Sequence, residues 1–289
     1  MQQPAAPLPS RILHLPPEGK LLVCTDLHGN LADFQKMVVY FEEAEAQNER
    51  PYLLFSGDLV HGPEALESEW PDYLGPYYRD QSGELIDAFL ELQARFPGQV
   101  ASLLGNHEHS HVGGPHTPKF WEDETAHFEE VVGPERSELY CAAFKTFPLV
   151  AVSPCGVCVT HGAPNVSITS PKELEVSYEG FENLDINSMY SGPPITRLLW
   201  CRGCPPPIAD AFLQVLSTLG HEQRVVIFGH DIVTEGYEKI GAGQLQLSTS
   251  FGVDTANKTY IEIDLSRRYA GVSDLHEGRE LRALYPKVG

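Results

Sequence analysis

The chain is short of basic residues: 20 Lys and Arg stand against 40 Asp and Glu in 289 residues, a formal net charge of -20. That shortage argues against a nonspecific grip on nucleic acid or an anionic membrane, both of which need basic patches. It does not exclude an anionic substrate, because bound cations reverse the sign of a site locally. Long apolar runs are missing too, and none approaches the roughly 20 residues of a membrane span. The opening stretch MQQPAAPLPSRILHLPPEGK lacks a charged segment followed by an apolar one, so no signal peptide is read there. Cysteine is sparse: six residues over this length do not suggest a disulfide framework. Together these shortages make a soluble, cytoplasmic protein the expectation.

What is present is a repeated event. Short apolar runs read as strands at Leu21 to Cys24, Tyr52 to Phe55, Val100 to Leu104, and Arg224 to Phe228. Pro148 to Val159 reads as a hairpin turning at Pro154-Cys155-Gly156, and Gln244 to Ser248 and Tyr260 to Leu265 as two further strands. Helical spacing marks Leu31 to Glu45, with Phe34, Val38 and Phe41 on one face, and helices are also expected at Glu84 to Phe96, Phe120 to Val132 and Pro207 to Leu219. Residues 1–18 read as an extended, loosely held lead-in, 63–79 as a surface excursion and 163–200 as irregular. With no repeat or convincing linker, one α/β domain over residues 1–289 is expected.

Five of these runs end in a polar tip: Asp26 with His28, Asp58, Asn106 with His107, His161, and His230. Ligands in open α/β sheets bind beyond the carboxyl ends of strands, so these tips converge on one site. A mixed set of carboxylate, imidazole and amide suits Mn, Fe or Zn better than Ca, which favours oxygen donors alone. Two ions fit if Asp58 bridges them, with Asp26, His28 and Asp58 on one and Asp58, Asn106, His161 and His230 on the other. A pair of ions about 3.5–4 Å apart clamps a phosphoryl group and activates water for in-line attack. A lone histidine is ordinarily a solvated or core residue; five strand tips together are hard to explain as packing.

The ordered motifs TDLHGN, GDLV, GNHE, THGAP and FGHD resemble those of the calcineurin-like metallophosphoesterase superfamily, across nearly all of residues 20–265. GNHE, RLLWCR (Arg197 to Arg202) and GHDIVTEGYE (Gly229 to Glu238) are most similar to the PPP-type protein serine/threonine phosphatases and their bacterial relatives. The resemblance implies an α/β fold, a sandwich of mixed β-sheets flanked by helices with metals at the strand C-terminal ends. It implies two divalent ions, Mn2+ first with Fe or Zn as alternatives, held by Asp26, His28, Asp58, Asn106, His161 and His230. It also implies hydrolysis of a phosphomonoester, on a phosphorylated protein or small molecule, by direct attack of a metal-bridging hydroxide. His107 would protonate the leaving oxygen, and Arg202, or failing that Arg197, would hold phosphate oxygens through its guanidinium fork. A nucleotide or diadenosine polyphosphate hydrolase is the alternative, and a non-catalytic scaffold on the same fold a remote one. No nucleic-acid or membrane partner is expected.

One motif departs from the resemblance. The phosphatases read GDxVDRG, where this chain reads Gly57-Asp58-Leu59-Val60-His61-Gly62-Pro63. The absent aspartate would orient His107 and the absent arginine would bind phosphate. A neutral His61 offers one acceptor nitrogen as a substitute orienter; Glu108 is not expected in that role. The reading is a working site with its metal half intact and its phosphate-gripping half rebuilt from elsewhere. His109, His111 and His116 read as a solvated loop beside it, with ligation of an extra metal or contact with substrate as the sharper alternative, and Glu122-Asp123-Glu124 as a solvated helix face. Cys155/Cys158 and Cys201/Cys204 have zinc-knuckle spacing, with packed thiols as the plainer reading. Phe251 and Trp200 either border the site or pack in the core.

Overall fold

The computed structural model describes residues 10–286. In chain order its strands and helices are β1 (Ile12–His14), β2 (Lys20–Cys24), α1 (Leu31–Ala46), β3 (Pro51–Phe55), α2 (Ser82–Arg95), β4 (Val100–Ser102), α3 (Asn106–His109), α4 (Glu124–Val132) and α5 (Pro134–Phe144). There follow β5 (Val150–Val152), β6 (Val157–Thr160), α6 (Ile186–Met189), α7 (Pro194–Trp200), α8 (Pro206–Ser217), β7 (Val225–Phe228), β8 (Tyr237–Ile240), β9 (Gln244–Leu247), β10 (Thr259–Asp264) and β11 (Leu281–Ala283).

Two mixed sheets face each other, a six-stranded one in the order β1-β5-β6-β7-β9-β8 and a five-stranded one in the order β11-β10-β2-β3-β4. Strand alternation explains the layers. On β2, Leu21 and Val23 join Val159, Ile227, Leu245 and Ile261 in an inner core drawn from both sheets. Leu22 and Cys24 point the other way, into a second cluster shared with Phe34, Met37 and Phe41 of α1. A strand buried on both faces reads as an unbroken apolar run, which is why LLVC and VVIF are legible as strands.

Within the five-stranded sheet, β2, β3 and β4 are parallel, so their C-terminal ends lie at one edge. The parallel pair β6–β7 in the other sheet brings two more ends together. Helix α1 starts directly after the first tip, where the Asn30 side chain accepts from Asp33 N at 3.1 Å, a side-chain N-cap.

The expected strands and the helices α1, α2 and α8 appear within two residues of their predicted bounds, and the hairpin forms with Val152 opposite Cys158. Four corrections are needed. Residues 1–9 of the expected lead-in lie outside the described residues, while Ile12–His14 is a strand paired in parallel with β5. The helix expected from Phe120 starts at Glu124, because Asp123 caps it by accepting from Ala126 N at 2.9 Å. The stretch 163–200 is not irregular throughout: it holds α6 and α7. Finally, α5, β8 and β11 have no counterpart in the sequence reading. Helix α5 leaves Leu139 exposed and buries Tyr140 and Phe144 alone, too little for a periodic signal.

Candidate metal centre

The five tips meet at the edge where the parallel strands end. His28 Nε2 and His161 Nε2 lie 3.6 and 3.5 Å from Asp58 Oδ2. His161 Nε2 is 3.0 Å from Asn106 Oδ1 and 3.2 Å from His230 Nδ1. Asp26 joins through both carboxylate oxygens, which accept from His230 N at 3.1 Å. All six residues named as ligand candidates are therefore neighbours.

Backbone geometry shows what holds them. Non-glycine residues rarely adopt positive φ, and among the described residues seven do: five are Asp26, His28, Asp58, His61 and His230. Gly57, at φ +104, makes the turn that presents Asp58, and a Cβ there would lie 2.6 Å from Gly105 N. Glu108 staples the same turn: its carboxylate accepts from Asp58 N at 2.9 Å, Leu59 N at 2.7 Å and Gly105 N at 3.0 Å. Sequence reasoning gave Glu108 no role, and a role through backbone amides leaves no pattern in sequence.

The tautomers can be worked out from carbonyl partners, since a carbonyl only accepts. His28 Nδ1–H donates to His61 O at 3.1 Å and His161 Nδ1–H donates to Ser56 O at 3.0 Å. His230 Nε2–H donates to Trp200 O at 3.0 Å. Each ring is then left with one bare nitrogen, and these are the atoms that converge on Asp58 Oδ2. His161 Nε2 consequently faces Asn106 Oδ1, His230 Nδ1 and Asp58 Oδ2, acceptor against acceptor with no proton between them. A cation bound among these acceptors would relieve their mutual repulsion, and outer bonds to carbonyls are the usual support of metal-ligating histidines. The donor set fits divalent metal ions. Among the described residues four triads have ligand atoms within 4.8 Å of one another, and two of them, His28–Asp58–His107 and Asp58–His161–His230, share Asp58. Electrostatics agree: burial pushes Asp58 up to about 7 and Asp26 up to about 6, and holds His28, His161 and His230 below the usual imidazole value.

His107 stands beside this cluster. Its Nδ1 is 3.0 Å from His61 Nδ1 and 3.6 Å from Glu124 Oε2. Glu124 is 2% exposed and is held by Thr117 Oγ1 and by Phe120 N at 2.9 Å. The expectation of a solvated acidic face holds for Glu122 and fails for Glu124, because the loop 117–123 folds back over the site and carries Glu124 inward. The same loop delivers Lys119, which the sequence reading did not single out. Its Nζ lies 3.4 Å from His28 Nε2, 4.3 Å from the Phe251 ring centroid and 5.0 Å from that of Phe120. Crowding holds this ammonium below the usual lysine value, offset in part by the charges of Asp58, Asp26 and Glu124.

Lys119 and Arg202 both line a cleft of 210 Å³ that opens over Asp58, Asn106, His107 and His230. Arg202 is exposed and pairs with Asp231 at 2.7 Å. Arg197 is spent elsewhere, on the carbonyls of Gly192 and Asn165 at 3.2 Å. Trp200 lines the cleft, and the Phe251 ring sits 4.6 Å from that of His28, so both border the site. A larger cavity, 580 Å³, lies alongside, against His61 and Glu124, and touches none of the ligand candidates.

The solvated loop expected at His109, His111 and His116 is found at His116 alone. His109 is fully buried and donates to Tyr178 O at 2.9 Å, and the His111 side chain is buried as well. All six cysteines are free. Cys155 and Cys158 face different hydrophobic clusters, and Cys201 and Cys204 pack in the outer one, so the packed-thiol reading describes them.

Among the described residues no helix is long and apolar enough to cross a membrane. No curated protein is similar enough to match. Among solved structures, a protein serine/threonine phosphatase from Saccharomyces cerevisiae is similar, with a TM-score of 0.60 and 18% identity over 89% of this chain and 77% of that one. A cold-active protein-tyrosine phosphatase of a psychrophilic Shewanella species has a TM-score of 0.57 and 13% identity over 89% of this chain and 78% of that one. Identities this low speak for the fold alone. The sequence model described as calcineurin-like phosphoesterase matches residues 19–234, which spans every strand tip of the cluster. With that match covering most of the chain and the two-sheet fold agreeing with it, the protein belongs to the calcineurin-like phosphoesterase family.

Proposed function

We propose that this chain is a two-metal phosphomonoesterase that dephosphorylates serine or threonine in proteins, with Mn2+ as the working ion. The observation that carries the reading is the group of bare acceptors around His161 Nε2, set below a mouth flanked by Lys119 and Arg202. Asp26, His28 and Asp58 would hold one ion, and Asp58, Asn106, His161 and His230 the other. Bound divalent ions supply Lewis acidity toward a phosphoryl oxygen and acidify water for in-line attack.

The remaining work falls to the chain. Lys119 and Arg202 donate hydrogen bonds to the non-bridging phosphate oxygens, in place of the arginine missing after Asp58. His107, with Nδ1 facing His61, takes a proton from cleft water on Nε2 and hands it to the leaving oxygen. Water is consumed, and an alcohol and inorganic phosphate are released. The rim carries the partly exposed Tyr190 and Ile232, which suits a phosphate presented on a polypeptide. Both fold neighbours carry protein-phosphatase names, one serine/threonine and one tyrosine, which supports a phosphoprotein substrate.

The test is an assay of EDTA-stripped protein on p-nitrophenyl phosphate, then on a phosphoserine peptide, a phosphotyrosine peptide and a diadenosine polyphosphate. Turnover restored by Mn2+, lost in Asp58→Asn and highest on phosphoserine is the expected result. An Asp58→Asn variant no worse than wild type would end the enzyme reading, and a preference for the dinucleotide would move the substrate class.

A further inference from the structure

A buried file of side chains runs from His107 to the protein surface. His107 Nδ1 lies 3.0 Å from His61 Nδ1, His61 Nε2 lies 2.9 Å from His111 Nε2, and His111 Nδ1 lies 3.1 Å from Glu129 Oε1. The file ends on α4, where Glu129 has a side chain 42% exposed and His111 one that is 0% exposed. Phe128 covers His61 and His111 with ring centroids 5.6 and 5.2 Å away, and Phe144 covers His111 at 5.7 Å. His61 is 4% exposed and the His111 side chain not at all, so each imidazole finds its donor and acceptor within the file.

The proton positions then follow from one end. The His111 bond holds Glu129 below the usual carboxylate range, so Glu129 is ionised and can only accept. His111 must therefore donate from Nδ1 and accept at Nε2. His61 must donate from Nε2 and accept at Nδ1, and His107 must donate from Nδ1. Any other arrangement of neutral rings sets two lone pairs or two protons against each other. Glu124 Oε2, 3.6 Å from His107 Nδ1, is beyond hydrogen-bond reach yet favours the same arrangement by its charge.

We propose that Glu129 and His111 are positioning residues for His107, acting through His61 to keep one proton on Nδ1, so that Nε2, turned to the substrate, takes a second proton from water in the cleft and passes it to the leaving oxygen. The role rests on the reading of His107 as general acid; the bond file itself does not. Glu129 reaches the reacting atoms only through two other residues. Its loss acts on proton delivery and leaves substrate binding and metal content alone.

The experiment uses the full chain with Glu129→Lys, Glu129→Ala and Glu129→Gln. Glutamine still offers an acceptor oxygen, alanine none, and lysine a donor that opposes His111 Nδ1–H. Histidine side-chain nitrogen spectra on the metal-free protein report the tautomer of His107. The expected result is the Nδ1–H form in wild type and Glu129→Gln, and a shift toward Nε2–H in Glu129→Lys. In the Mn2+-loaded enzyme, kcat on phenyl phosphate, whose leaving group needs a proton, should fall about tenfold in Glu129→Ala and Glu129→Lys at unchanged KM. On p-nitrophenyl phosphate, whose leaving group departs unaided, it should hold within about twofold. Equal losses on both esters, or an unshifted tautomer in Glu129→Lys, overturn the proposal. Should neither ester turn over in wild type, the phosphatase reading fails on its own and the spectra still decide the file.

Discussion

Lys119 and Glu124 lie five positions apart in sequence and reach the site for different reasons. Glu124 is drawn inward by Thr117 and Phe120 N and ends 3.6 Å from the ring of His107. Lys119 is drawn over the acidic cluster and is flanked by two phenyl rings. Between them they bring back a carboxylate and a cation of the kind missing at His61-Gly62. A charge-assisted bond to a phosphate oxygen is worth about 1.5–3 kcal/mol, so Lys119→Met should lower kcat/KM by roughly 10- to 100-fold. Lys119→Arg should recover most of that loss, and metal content, measured by elemental analysis, should stay at the wild-type level. A variant that instead binds metal more tightly would show that the ammonium competes for the ion site. The gathering of the ligand candidates was legible because each lies within four residues of a strand's C-terminal end. Lys119 and Glu124 were not, since their placement depends on how an aperiodic loop folds back.

At the scale of elements, the histidine run that begins in α3 was misread for a related cause: a polar side chain can be buried when it finds a local partner. His109 shows this, with Nε2–H bonded to Tyr178 O and a ring packed beside Phe181 at 5.5 Å. Burial lowers His109 to about 4 from an ordinary imidazole value of 6.5. The folded protein thus keeps this ring neutral while the unfolded chain binds a proton as pH falls below 6.5. Stability is fully present above that value, declines between pH 6.5 and 4, and levels off below; the full loss is on the order of 3 kcal/mol. Urea melts at pH 7 and pH 5 should show a smaller difference in His109→Gln, which keeps a donor for Tyr178 O. An identical difference in both proteins would clear His109 of the effect. Strand and helix positions were readable where one residue type filled a face, as on β2 and α1. Helix α5 and strands β1, β8 and β11 were not, because each is short or buries few side chains.

Across the whole molecule, a single buried carboxylate ties distant parts of the chain to the site. Asp33 on α1 is 2% exposed and accepts from Lys258, Ser250 and Asn30, and from Tyr285 Oη at 2.7 Å. Lys258 precedes β10, Tyr285 follows β11, and Ser250 lies in the loop after β9. The next residue in that loop, Phe251, donates its N–H to Asp26 O at 3.1 Å and sets its ring against His28. The C-terminal strands thereby brace the first strand tip, which no local pattern around Asp26 announces. Lys258 is 4% exposed, so Lys258→Met leaves an uncompensated charge in the core and should cost about 3–5 kcal/mol of stability. Pairing it with Asp33→Asn removes that charge, and the double variant should be more stable than Lys258→Met alone. Chemical denaturation of the single and double variants measures the coupling. If the two losses simply add, Asp33 and Lys258 do not act as a pair, and the brace on Asp26 must come from Ser250 and the loop backbone.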